Sequence, residues 1–398
     1  MTTHQKNTGA QPSTPLPHDF RMPSDVPYLN GLRGIAATWV VIAHCMIWGG
    51  WTLTAIPDPK IAVDLFMTIS GFLMAYNARR RESIEPMTQP ATWIRFYIRR
   101  YFRIAPAYYL SLAFAVVASG PFLDGYKALQ SMNPGFWRTG GIYDPYTIKF
   151  TTANLLAHAT FVFGTIPKYT FATMLPDWSL SLEMQFYLAF PLLYLLMRKI
   201  GPLTASIVLA TVALAASHAL AGVFPEPGFL PLKLSLFVTG MLIAEVPFST
   251  GRTATLLIGA LALILPFAQT ASYATQSWVL PVISALLYAL TVNRRSVSSL
   301  LRPLDTLLGG RIAHALSDAS YGMYLFHGFF ISFTGLMLSA AFPRLAAHGD
   351  IRTIVLLAVT LPGAILVSTL IHRFVERPGI ALGRSAAGFL SLGASGSR

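Results

Sequence analysis

Apolar residues run along this chain in blocks too long and too uniform to be the inward faces of soluble helices. Ten stretches of roughly 17 to 22 residues fall at 34-51, 61-78, 103-120, 179-197, 203-222, 229-246, 253-269, 275-292, 319-340 and 352-372, each long enough as a helix to cross about 30 Å of hydrocarbon. The pattern predicts an all-α fold, a polytopic membrane helix bundle of about ten transmembrane helices, because a helix satisfies its backbone groups internally where lipid offers no partner. Residues 1-27 are polar and proline-rich without apolar periodicity, which predicts a disordered tail. No cleavable signal peptide is visible, since the first apolar run begins late and resembles a span. The connection 121-178 is the longest between runs and carries Trp137, Tyr143 and Tyr146. Its piece 151-167 is short for a span and reads as an interfacial or re-entrant helix. Residues 28-378 then form one transmembrane domain, and 379-398 a second tail.

Composition agrees with this, and charge adds an orientation. Hydrophobic residues make up 54% of the chain and charged ones 11%, against about 25% charged in soluble domains. The net charge of +13 would point to nucleic acid in a soluble protein. Here, with the N-terminus placed in the cytoplasm, 21 of the 29 Lys and Arg residues fall on the cytoplasmic side, seven of them in 78-103 and four in 293-311, while the acidic residues divide evenly. This is the positive-inside bias, which predicts both termini in the cytoplasm, with the lipid bilayer and not nucleic acid as the expected partner. Counting 151-167 as a further span would turn the arginines of 293-311 outward. A single cysteine, Cys45, excludes an internal disulfide and a cysteine-built zinc site, and no metal is expected.

Ionisable residues inside apolar runs are expensive and so carry most of the chemical information. Arg33 opens the first run and His44 follows eleven residues on, which on a helix is the same face about 16 Å further along. A cation at the inner mouth and an imidazole beyond the midplane suit a route, with the cation holding an anionic group and the imidazole acting on what arrives. A flanking anchor and a packed histidine are the plain alternatives. Cys45 points about 100° away from His44 and cannot readily share its proton; it reads as a small buried apolar residue. Asp64, near the outer end of the second run, lies at His44's depth and could orient its imidazole, or could cap its own helix. Gly71 shares the face of Asp64, where it would admit a close helix or ligand, while Ser70 points elsewhere and reads as a helix-helix hydrogen bond. Arg100 and Arg103 share a face at the start of the third run, level with Arg33, and converging guanidinium groups suit phosphates.

These stretches together resemble the acyltransferase 3 family, integral membrane O-acyltransferases that modify bacterial surface and secreted glycans. The resemblance rests on "YLNGLRGIAATWVVIAH" (28-44), "VDLFMTISGFLMA" (63-75), "RRYFRIAPAYY" (99-109), "DWSLSLEMQFYLAFPLL" (177-193), "SYGMYLFHGFF" (320-330) and "FVERP" (374-378), in the family's order. Met67 and Thr68 depart from the aromatic and aliphatic residues the family often shows there. The resemblance implies transfer from cytoplasmic acyl-CoA, usually acetyl-CoA, as donor substrate with no resident cofactor, to a hydroxyl of an extracytoplasmic glycan or lipid-linked sugar such as exopolysaccharide or lipopolysaccharide. It places the protein in the bacterial inner membrane, makes Arg33 and His44 the essential pair, and gives Arg100 and Arg103 the CoA phosphates. His44 would act as general base or transient acyl carrier, with Asp64 as its partner. The fused esterase-like domain of some members is not seen, which implies that transfer is completed here or handed to a separate acyl-handling or glycan-assembly protein.

Glu183 and Trp178, near the outer end of the fourth run, are candidates for binding the acceptor, with helix-end stabilisation as the alternative. His327 and Tyr324 share a face of the ninth run and could line the acyl route or pack across helices. Glu376 lies beyond the last run and is expected to pair with an arginine. Against the acyltransferase stand a polytopic transporter of a small anionic or acylated substrate, for which inverted repeats are expected and not detected, and a non-catalytic scaffold.

Overall fold

The computed structural model describes residues 26-51, 58-133, 150-170, 172-173, 175-272, 278-295 and 301-393. Among these there is no strand. Helix α1 spans Pro27–Gly49, α2 Pro59–Arg80, α3 Pro90–Val117, α4 Ser119–Met132, α5 Thr152–Ala159, α6 Trp178–Ile200, α7 Pro202–Ala219 and α8 Leu230–Ile243. They are followed by α9 at Arg252–Ile264, α10 Val279–Arg295, α11 Arg302–Leu308, α12 Arg311–Ala341, α13 Pro343–Ala346, α14 Gly349–Ile371 and α15 Arg377–Gly393.

All ten apolar runs lie on helices, but not on ten equal spans. Among the described residues, seven helices are long and apolar enough to cross a membrane alone: α1, α2, α6, α7, α8 with the turn that extends it to Phe248, α12, and the rod formed by α14 and α15. An eighth is the pair α3 and α4, bent by 79°. The runs 253-269 and 275-292 yield the shorter α9 and α10, the first ending in a 3-10 turn from Leu265. The connection expected from 121 begins as helix α4, and 151-167 is a short helix followed by single 3-10 turns. Trp137, Tyr143 and Tyr146, and the tail before Val26, lie outside the described residues. After α14, 372-376 is one π-helical turn and α15 continues to Gly393, where Gly379 and Gly383 let it lie flat against Phe102 and Pro106 of α3.

Local sequence explains where the helices begin. Proline opens α1, α2, α3 and α7, where its missing N–H has no intrahelical acceptor and its φ is already helical. Asp58 caps α2, accepting from the Lys60 N–H at 2.8 Å. Gly50 closes α1 at φ 84°, returning its N–H to Met46 O at 2.9 Å.

The bundle is built around α12, which packs on α1, α4 and α14, while α8 fills the other half against α2 and α7. Lipid tails are as apolar as leucine, so close backbone approach and polar contacts must supply the association. Gly71 of α2 and Gly240 of α8 interlock: a methyl at Gly71 would overlap the Phe237 carbonyl, and one at Gly240 the Thr68 carbonyl. Buried Arg352, in the first turn of α14, donates to Gly49 O at 2.7 Å, Met132 O at 3.1 Å and Ala346 O at 2.5 Å. Its charge thus meets the carbonyl-rich ends of α1, α4 and α13.

Candidate functional site

Two polar groupings occupy the bundle interior, one centred on arginines and one on histidines. Arg33 lies six residues inside α1, about 9 Å from its start, because Pro27 starts the helix seven residues before the apolar run. Arg100 and Arg103 are likewise ten and thirteen residues inside α3, about 15 and 20 Å along it. Within electrostatic reach of the Arg33 guanidinium are Arg103, Glu183, Tyr187 and Glu376. Arg100 lies 5.6 Å from the Phe96 ring centroid and 5.8 Å from that of Tyr187, the stacking a delocalised cation favours.

Glu183, expected among the acceptor contacts, lies within electrostatic reach of Arg33 and Arg100. Its Oε1 accepts from Ser70 Oγ at 2.9 Å and from the Tyr187 hydroxyl. Ser70 therefore makes the helix-helix hydrogen bond its direction implied. Glu376, expected to pair with an arginine, lies in the π-helical turn: it is buried, holds His372 Nδ1 at 3.0 Å and lies within electrostatic reach of Arg33 and of Tyr321. Tyr321 donates to Ile104 O at 2.8 Å. Three arginines and two carboxylates thus leave a surplus of positive charge in a water-poor interior, a setting suited to phosphate groups.

His44 and His327 meet in the second grouping, on α1 and α12. His327 Nδ1 is 2.9 Å from Met323 O, and His44 Nδ1 is 2.9 Å from Val40 O. A carbonyl only accepts, so these partners assign the proton to Nδ1 in both rings. His327 Nε2, 3.2 Å from His44 Nδ1, then accepts a share of that N–H. His44 Nε2 keeps its lone pair, and no hydrogen bond to it is present among the described residues. The His44 ring is partly open while His327 is buried. Tyr324, buried beside them, has its hydroxyl 2.7 Å from Ser179 Oγ at the start of α6.

The expected pairing of Asp64 with His44 is not what the structure shows. Asp64 is bound by Lys233 of α8, at 2.9 Å to Oδ1 and 3.0 Å to Oδ2, with both residues buried. The reason is the face it shares with Gly71, which is the face that α8 covers. His327 takes the place beside His44 that Asp64 was expected to fill. Trp178 is buried in the apolar core, and Cys45 is buried as expected. Sequence reasoning missed Lys233, whose lone charge within an apolar run was a usable signal, and Tyr187, one helical turn from Glu183.

A model of the acyltransferase domain family, Acyl_transf_3, matches residues 26-373. The chain is 32% identical over 174 residues to a membrane-bound transacylase, BcsY, of Komagataeibacter xylinus, covering 44% of this chain and 38% of that protein. It is 29% identical over 194 residues to the acyltransferase MdmB of Streptomyces mycarofaciens, covering 46% and 42%. A weaker likeness, 28% over 125 residues, links it to nose resistant to fluoxetine protein 6 of Caenorhabditis elegans, with 24% of this chain and 15% of that one covered. The chain spans less than half the length of these curated relatives. No solved structure matches it.

Proposed function

The chain belongs to the acyltransferase 3 family of membrane acyltransferases, and from that premise we propose that it moves an acyl group, acetyl by preference, from acyl-CoA to a hydroxyl of an extracytoplasmic glycan. The positive-inside bias supports an inner-membrane protein with both termini in the cytoplasm, so that CoA enters at the arginine-rich end of the bundle. A transacylase among the relatives agrees with acyl transfer.

One observation carries the reading: α1 holds a cation of the arginine grouping and, eleven residues further, an imidazole whose Nε2 has no hydrogen-bond partner among the described residues. Arg33, Arg100 and Arg103 hold the CoA phosphates. The pantetheine arm spans the roughly 16 Å between Arg33 and His44 and presents the thioester to His44. His44 Nε2 takes the proton of the acceptor hydroxyl as its oxygen attacks the thioester carbon. The carbon–oxygen bond forms, the carbon–sulfur bond breaks, and the proton passes from Nε2 to the departing thiolate.

Membrane vesicles supplied with radiolabelled acetyl-CoA test this. Label should enter extracytoplasmic glycan, and His44→Ala should lower incorporation by about 10² to 10⁴, the usual contribution of a general base, while the protein stays in the membrane. Full incorporation by that variant overturns the reading.

A further inference from the structure

At the end of the bundle opposite the arginine-rich connections, two ion pairs are stacked between α2 and α8. The deeper is Asp64 with Lys233, both buried. One turn above Asp64 on α2 stands Lys60, whose Nζ is 2.9 Å from Glu226 Oε2 in the connection between α7 and α8. This upper pair is partly buried, with side-chain exposures of 37% for Lys60 and 15% for Glu226, and it is held in place. Asp58 caps the turn that carries Lys60. Gln185 of α6 fixes the other side, donating to Gly228 O at 2.8 Å and accepting from Leu230 N at 2.9 Å. Lys60 lies one residue inside α2 and His44 five residues from the end of α1. Lys60 lies within electrostatic reach of His44, and Glu226 within reach of Tyr324.

Taking charges partly out of water costs desolvation that their mutual attraction offsets only in good geometry, so folding alone is a weak reason for two further charges above the Asp64–Lys233 pair. Resting on the acyltransferase reading above, we propose that Lys60 and Glu226 form the acceptor subsite and take an uncharged, hydroxyl-rich sugar ring. The Glu226 carboxylate accepts from one ring hydroxyl, the Lys60 ammonium donates to the oxygen of its neighbour, and the next hydroxyl is turned toward His44 Nε2. Charge decides against an anionic sugar. The four groups of the two pairs sum to zero, so an acid gains no net attraction there, in contrast to the positive surplus around Arg33.

The test uses the full chain in lipid nanodiscs, with octyl β-D-glucoside and octyl β-D-glucuronide below their micellar concentrations. Equilibrium binding of labelled glucoside is measured first without acetyl-CoA, so that it does not depend on acyl transfer. Glu226→Gln and Lys60→Gln should each weaken glucoside binding about tenfold, the effect of roughly 1.4 kcal/mol, and raise its KM in turnover to match, with the KM for acetyl-CoA within about twofold of wild type. The charge-reversed double variant K60E/E226K should regain thermal stability without regaining glucoside affinity. Restored affinity in that double variant, unchanged affinity in the single ones, or tighter binding of glucuronide than glucoside by the wild type would each overturn the subsite. Tight glucoside binding without any acetylation would leave the subsite standing and overturn the acyltransferase reading.

Discussion

At the scale of single residues, the histidine pair decides what chemistry α1 can do. A neutral imidazole is a useful base only if the correct nitrogen keeps its lone pair, and His327 helps to secure this by accepting the His44 Nδ1 proton. His327→Ala leaves the Val40 carbonyl as sole acceptor and frees the His44 ring to turn. Transfer should then fall about tenfold or more, part of the 10² to 10⁴ a general base supplies, with the KM for acetyl-CoA unmoved. His327→Gln, whose amide oxygen can still accept, should recover part of the rate. Equal loss in both variants, or a raised donor KM, would contradict this positioning role, and steady-state kinetics with acetyl-CoA varied separates the cases. Much of this site was legible in the sequence: Arg33, His44, Arg100 and Arg103 were named from spacing and from the cost of burying charge, and the structure brings the arginines together. What could not be read was partner choice. Asp64 and His327 both lie at a depth that could serve His44, and only the packing of α8 on the Gly71 face decides between them.

At the scale of elements, the contact of α2 with α8 controls that choice. Gly71 and Gly240 bring the two backbones together, and Asp64 with Lys233 lies on the same seam. Gly71→Ala places a methyl against the Phe237 carbonyl, a neighbour that cannot rotate away, so the helices must part. Overpacking of this kind costs typically about 1 to 3 kcal/mol, and a rigid backbone neighbour puts this site at the upper end. The thermal midpoint in detergent should fall by several degrees, and transfer should fall with it because the separation spreads to Ser70, one residue away, and its bond to Glu183. A methyl added at Gly388 of α15, by contrast, would meet nothing within 4 Å, and Gly388→Ala is the control expected to keep its midpoint. Helix existence was legible because every apolar run is long. Helix ends were less so, since hydropathy marks where lipid-compatible residues begin and not where the backbone starts to turn. Pro27 and Pro90 carried that information, and they move Arg33 and Arg103 well inside their helices.

At the scale of the whole molecule, charge is distributed so that one end of the bundle is held by arginine networks. In the connection between α2 and α3, Glu85 accepts from Arg99 at 3.1 and 2.9 Å and lies 3.1 Å from Arg81 and 3.8 Å from Arg95. Burial works to raise the Glu85 carboxyl's pKa, but the Arg99 hydrogen bonds and the charges of Arg99, Arg81 and Arg95 outweigh it and hold the group below its ordinary 4.5. A carboxylate whose folded value is depressed stabilises the folded state at every pH above the unfolded value, and that contribution is lost as pH falls through the folded one. The α2–α3 connection is therefore expected to loosen in acid, beginning just below pH 4.5, where Arg81, Arg95 and Arg99 lose their shared counter-charge and repel one another. Glu85→Gln removes the titrating group, so it should lower stability at neutral pH and flatten the acid dependence. Thermal midpoints of wild type and variant, followed from neutral pH down through the carboxylate range, should converge at the acid end. Parallel curves would show that the acid sensitivity arises elsewhere. Because the same connection leads into the helix that carries Arg100 and Arg103, loosening it should also raise the donor KM of the wild type in acid, while the variant's donor KM changes little over the same range.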